Sequence, residues 1–155
     1  MAEHLIGIIS DTHGLLRPQA VKALEGVELI IHAGDLGGPG VLAGLEAIAP
    51  VQAVRGNTDK GDWARTLPRN RVVEVGRRQL FVLHNLYELD LNPEAAGLAA
   101  VIYGHSHQPS LERQEGVLYL NPGSAGPRRF TLPVTLALLR VTGEALKVEF
   151  IKLKI

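Results

Sequence analysis

The sequence predicts an α/β fold, with a mixed β core and helices on its outer faces. Three observations lead there. Short, continuous apolar runs recur along the chain, and each is closed by polar or Gly-containing residues. The stretches between the first three runs carry helical spacing and helix-end signals, which makes the opening β-α-β-α-β and its strands parallel. The rest holds three pairs of strand-like runs, each pair joined across a short Gly-containing turn.

The first apolar runs cover residues 5–9, 27–32, 51–54, 80–83 and 99–103. Runs this short and unbroken suit strands buried on both faces. Residues 17–24 predict a helix, with Pro18 near its start and Gly26 just past its end. Residues 41–48 predict a second, with apolar side chains at 41, 42, 45 and 48 and Pro50 beyond. Asn92, Pro93 and Glu94 look like the cap and acidic first turn of a third, running to about residue 98. Hairpins are expected from residues 71–75 with 79–83, 111–114 with 117–120, and 134–141 with 145–153. The expected total is about ten strands and three helices.

Composition narrows the function. The chain has 155 residues, which predicts a single domain over 1–155. Sixteen basic residues balance sixteen acidic ones, which speaks against a polyanion-binding protein. With no cysteine, disulfides, thiolate metal sites and a Cys nucleophile are excluded, so a bound metal needs His, Asp, Glu or Asn. No apolar run approaches the roughly 20 residues that span a bilayer. The N-terminal residues lack a basic leader pattern, and a cytoplasmic location is expected.

Polar residues fall at the ends of five predicted strands. Asp11 and His13 follow the first run, Asp35 the second and Asn57 the third. His84 ends the 80–83 run, and His105 and His107 follow residues 99–103. Ligands of α/β sheets bind at the carboxyl ends of parallel strands. The i, i+2 pairs Asp11/His13 and His105/His107 would diverge on a helix but share a side on an extended segment. Gly34, Gly56 and Gly104 each precede a candidate ligand, where a sharp turn leaves no room for a Cβ. Singly, such an Asp is commonly a turn residue and such a His a packed one, the fate expected for His4 and His32. It is the ordered set over five strand ends that points to metal.

Taken together, Asp11-Thr12-His13, Gly34-Asp35, Gly56-Asn57, His84 and Gly104-His105-Ser106-His107 resemble the motif series of the calcineurin-like metallophosphoesterase superfamily. The match spans about residues 6–128, and Asn121-Pro122-Gly123-Ser124 resembles its small YfcE-like phosphodiesterases. The resemblance implies a four-layer α/β/β/α sandwich around two divalent metal ions. Asp11, His13, Asp35 and His107 would hold the first metal; Asp35, Asn57, His84 and His105 the second. Asp35 would then bridge, with a bridging water or hydroxide completing the pair.

Three positions depart from the family pattern. Thr58 stands where many members have a His that assists the leaving group. Asn85 follows the lone His where Gly is common. Gly61-Asp62-Trp63 has no family role, and Trp63 suits a core cover as well as a substrate contact. Asp59 is a candidate to orient a ligand or metal-bound water, or else an exposed turn residue. Arg17, Arg128 and Arg129 are candidate phosphate contacts, because a guanidinium fork matches phosphate oxygens.

The implied activity is a metal-dependent phosphodiesterase. Two divalent ions, two carboxylates and a hydroxide leave about one net positive charge, suited to a phosphodiester anion. The oxygen and nitrogen donors suit Mn²⁺ foremost, with Fe, Zn²⁺, Co²⁺ or Ni²⁺ as alternatives. The expected partner is a small phosphodiester, with no membrane and no long nucleic acid; self-association stays open. The alternatives are a phosphomonoesterase on the same site and a protein-interaction scaffold resembling the retromer subunit of this fold.

Overall fold

The computed structural model describes residues 2–155. The chain opens as predicted: β1 (Glu3–Ile9), α1 (Pro18–Ala23), β2 (Leu29–His32), α2 (Pro39–Glu46) and β3 (Val51–Ala53). β1, β2 and β3 pair in parallel. Both helices begin on a proline, whose fixed φ and missing N–H suit the first helical position. That is why α2 starts at Pro39, ahead of the apolar pattern that predicts it.

β4 (Asn70–Val75) and β5 (Arg78–Leu83) form the first predicted hairpin and begin a second sheet. β6 (Ala100–Ile102) and β8 (Val117–Asn121) extend it in parallel, and β7 (Ser110–Gln114) closes its edge against β8. Glu115 and Gly116 both have positive φ, the geometry of a two-residue hairpin turn whose twist matches its strands. β9 (Thr135–Thr142) then returns to the first sheet, antiparallel to β1, and β10 (Ala145–Lys152) pairs with it. The orders are β10-β9-β1-β2-β3 and β4-β5-β6-β8-β7.

Side-chain alternation along β1 builds the layers. Ile6 and Ile8 join Val73, Val82, Ile102 and Leu120 in the apolar cluster shared by the two sheets. Ile9 faces the other way, into a cluster with Leu24 next to α1 and Leu45 of α2. Ile6, Ile8 and Ile9 are completely buried, each worth about 1.5–3 kcal/mol against exposure. The outer face of the second sheet is covered by a smaller cluster of Phe81, Leu83, Leu98 and Val101.

The third predicted helix does not form, and the outer layer there is thin. Residues 92–98 make a single hydrogen-bonded turn, in which Asn92 Oδ1 accepts from Ala95 N at 3.2 Å and Asn92 O accepts from Ala96 N at 3.0 Å. Gly97, at φ 74°, ends it before a second turn can repay nucleation. Two short 3-10 helices, Asp62–Thr66 and Leu86–Glu88, appear where the sequence predicts none. Asn85 caps the second by accepting from Tyr87 N at 3.1 Å, which accounts for its departure from the family pattern.

The five strand ends bearing candidate ligands therefore belong to two sheets, not to one edge. β1, β2 and β3 deliver residues from the first sheet, β5 and β6 from the second. The hairpin into β5 starts a new sheet, and packing of the two sheets brings their carboxyl ends together.

Candidate metal centre

The peptide leaving β1 turns at once into the left-handed region. Asp11, His13, Asp35, His105 and His107 have φ of 55°, 46°, 58°, 75° and 65°. Only two other non-glycine residues described here share positive φ, Glu115 and Phe130. Such conformations cost about 1–3 kcal/mol each and persist where the surroundings enforce them. The paired ligands thus meet through left-handed kinks, not through the extended segments that their spacing suggests.

Close approach of the loops sets the rest. A Cβ on Gly34, at φ 104°, would lie 2.6 Å from His84 Nδ1. On Gly56 it would strike the Asp35 carboxylate, and on Gly104 the Ser10 hydroxyl. The glycines predicted to permit turns chiefly permit contact between strand ends.

Each carboxylate has one oxygen held by a neighbouring N–H or O–H group and turns the other towards the imidazoles. Asp11 Oδ2 accepts from Ser10 Oγ at 2.8 Å and from His105 N at 3.1 Å. Its Oδ1 is buried with no hydrogen-bond partner. Asp35 Oδ1 accepts from Thr58 N at 2.9 Å, while Oδ2 lies 3.2 Å from His84 Nε2 and 3.8 Å from His13 Nε2. The free Asp11 Oδ1 lies 3.5 Å from His107 Nε2 and 3.8 Å from both His13 Nε2 and His84 Nε2. His84 Nδ1 donates to Ala33 O at 2.8 Å, which aims Nε2 at the carboxylates.

Two ligand-like groups result, Asp11–His13–His107 and Asp11–Asp35–His84. His13 stacks on His107, and His105 stands edge-on to His84 with its Nδ1 3.4 Å from His84 Nε2. Six of the seven candidate ligands are thereby gathered. Asn57 lies solvent-exposed on the loop whose Thr58 N–H grips Asp35. The donors are carboxylate oxygens and imidazole nitrogens converging around an orphaned buried oxygen, which fits divalent cations.

Titration follows from the same geometry. Burial pushes the Asp11 carboxyl up. Burial also works to raise Asp35, but hydrogen bonds from His84 and the Thr58 N–H outweigh it and hold the carboxyl well below the usual range. Burial works to lower His84, whose pKa nonetheless rises because the Asp35 hydrogen bond and the Asp11 charge favour imidazolium. His107 is held at about 4 by burial and by the nearby Arg129 charge.

Asp59 is no exposed turn residue. It is buried, and its carboxylate accepts from Leu36 N at 3.2 Å, Gly37 N at 3.0 Å and Gly56 N at 3.0 Å. It fastens the loop after β3, which carries Asn57, to the loop after β2, which carries Asp35. Arg17 spends Nε and Nη2 on Gly126 O, while Arg128 and Arg129 are exposed. Trp63 packs against the helix-side core, the cover role. His4 pairs with Glu28 at 3.0 Å on the surface.

The sequence reading missed a hydrogen-bonded frame behind the ligands. His32 Nδ1 accepts from Gly34 N at 3.1 Å, which leaves Nε2–H to donate to Thr12 Oγ1 at 3.0 Å. Thr12 passes the chain on to Leu36 O at 2.9 Å. Asn121 donates to Gly104 O at 3.1 Å, and Ser124 Oγ to Asp11 O at 2.9 Å. The available signal was a polar residue directly ending an apolar run, as at Ser10, His32 and Asn121.

Residues 5–144 match the calcineurin-like phosphoesterase superfamily domain. The chain belongs to the calcineurin-like phosphoesterase superfamily. As a calcineurin-like phosphoesterase it is 39% identical over 160 residues to a probable metallophosphoesterase of Methanothermobacter thermautotrophicus, covering 96% of this chain and 92% of that one. It is similar to a structurally and functionally characterised archaeal phosphodiesterase, at TM-score 0.78 and 27% identity over 95% of this chain and 99% of that one. Vps29 of Chaetomium thermophilum shares the fold at TM-score 0.78 and 22% identity, over 96% and 97% of the two chains. Family membership makes the protein a phosphoester hydrolase of the metal-binding kind. Among the described residues no helix is long and apolar enough to cross a membrane.

Proposed function

We propose that this chain, acting as one domain over residues 1–155, is a phosphodiesterase for small phosphodiesters that works at a two-metal centre. The observation that carries this is the buried Asp11 Oδ1, orphaned among three imidazole nitrogens at 3.5–3.8 Å. Asp11, His13, Asp35 and His107 hold one cation in this proposal; Asp35, Asn57, His84 and His105 hold the other. Mn²⁺ is the foremost candidate. Two divalent ions there supply Lewis-acid charge and a water acidic enough to yield hydroxide near neutral pH.

The chain's own part is orientation. Thr58 N–H and Ser10 Oγ each occupy one carboxylate oxygen and so turn the other inward. Asp59 keeps Asn57 beside Asp35. Arg129, exposed and with a charge that bears on His107, is the candidate contact for a phosphoryl oxygen. With Thr58 in place of His, the site holds no positioned acid for the leaving group, so aryl diesters turn over faster than alkyl ones.

The relative described as an archaeal phosphodiesterase supports a diester over a monoester substrate. The scaffold alternative draws on Vps29, whose likeness at 22% identity concerns the fold alone. The presence of all seven donor residues in the sequence favours the hydrolase. Metal analysis of the purified protein, with chelator-sensitive hydrolysis of bis-p-nitrophenyl phosphate, tests the proposal. Two metal ions per chain and chelator-sensitive turnover are expected. Bound metal without turnover on mono- or diesters would favour the scaffold, and faster monoester cleavage the phosphomonoesterase.

A further inference from the structure

The loop that grips Asp35 has a second neighbour. Gly56, Asn57 and Asp59 also line a pocket of about 280 Å³, walled by Arg55, Lys60, Arg65 and Arg69. Gly56 lines this pocket and packs directly against the Asp35 carboxylate, so the pocket adjoins the candidate metal centre. Four cations meet one lining carboxylate, Asp59, whose oxygens are already taken by three backbone N–H groups. Asp62 offsets only Arg65, at 3.6 Å in a solvent-exposed pair that is easily exchanged. Arg55 Nε is buried and donates to nothing. The chain as a whole is neutral, so this excess of positive charge is local.

We propose that this pocket is an anion subsite for a second phosphate group of the substrate, other than the phosphoryl group under attack. The assignment rests on the phosphodiesterase proposal and narrows it to diesters that carry an additional phosphate, such as esters of a nucleoside or sugar bisphosphate. Guanidinium groups at its wall match phosphate oxygens in bidentate geometry. The phosphate held there takes no part in the bond cleavage, so the subsite contributes binding that is equal in ground and transition states and acts on KM. It also accounts for a basic cluster in a chain whose formal net charge is zero.

The test compares two substrates, thymidine 5′-(p-nitrophenyl phosphate) and the same ester bearing a 3′-phosphate. The wild type is expected to show a KM about tenfold lower for the 3′-phosphorylated ester, the product of several partly exposed ion pairs worth a factor of a few each. In Arg69→Glu and Arg55→Ala that ratio falls to near one. Arg69 is exposed, so its replacement leaves the core intact. Calorimetric titration of inorganic phosphate into the metal-stripped full chain gives a readout without turnover, with binding expected in the wild type and lost in both variants. A wild-type ratio near one, or a ratio or phosphate affinity unchanged in the variants, overturns the subsite. Hydrolysis of neither ester overturns the phosphodiesterase proposal instead, and the phosphate titration then decides the pocket alone.

Discussion

Asp35 Oδ2 and His84 Nε2 lie 3.2 Å apart, joining the end of β2 in one sheet to the end of β5 in the other. Without metal, this pair is where the two sheets share a proton and a charge. His84 would hold a divalent cation only after giving up that proton, so metal affinity is expected to weaken as acid protonates His84. Asp35→Ala removes the carboxylate proposed above to bridge the two ions. Metal content is expected to fall below two ions per chain, and hydrolysis by at least the 10²–10³-fold typical of one lost electrostatic contact. Elemental analysis and initial rates check this; a fully active, fully loaded variant would falsify the ligand assignment.

Asp59→Ala leaves the N–H groups of Leu36, Gly37 and Gly56 without their acceptor. The expected destabilisation is about 2–4 kcal/mol, read by chemical denaturation. Metal affinity should fall roughly 10–100-fold, because the loops carrying Asp35 and Asn57 lose their tie. Asp59→Asn keeps one acceptor oxygen and should fall between.

Gly34→Ala combines a left-handed φ of 104° with a Cβ 2.6 Å from the His84 ring. Backbone strain of about 1–2 kcal/mol adds to overpacking of about 1–3 kcal/mol. Since His84 must move to make room, metal binding should weaken along with stability. Calorimetric titration with Mn²⁺ reads the first effect and thermal denaturation the second.

His32 is completely buried, and burial together with the His84 charge lowers its pKa to about 3. The unfolded chain binds a proton near 6.5 that the folded chain refuses, so this group makes stability fall as pH drops from about 6.5 towards 3. The slope approaches about 1.4 kcal/mol per pH unit inside that window and vanishes above it. His32→Gln should give a shallower acid limb than the wild type in denaturation midpoints taken from pH 4 to 7. Parallel limbs would show that His32 titrates normally.

Thr58 sits one residue past Asn57 and offers no proton at neutral pH. Rates across a series of aryl and alkyl methyl phosphates should therefore fall steeply as leaving-group pKa rises. Thr58→His should flatten that dependence and raise the slow end by up to roughly 10²–10⁴-fold. A flat profile in the wild type would mean that another group supplies the acid.

The sequence by itself determined the ten strands, the parallel opening and the candidate donors, because those depend on local pattern. Residues 5–9 are apolar and end in Ser10-Asp11-Thr12-His13 whatever packs above them. It overreached at residues 92–98, where cap-like residues precede a segment too short to hold a helix. Tertiary structure alone decided that the strand ends come from two sheets, that His13 meets His107 while His105 meets His84, and that Asp59 and His32 work behind the ligands. These are contacts between segments far apart in the chain. Nothing in the periodicity of one strand specifies which turn of another it will touch; only the packing of the sheets does.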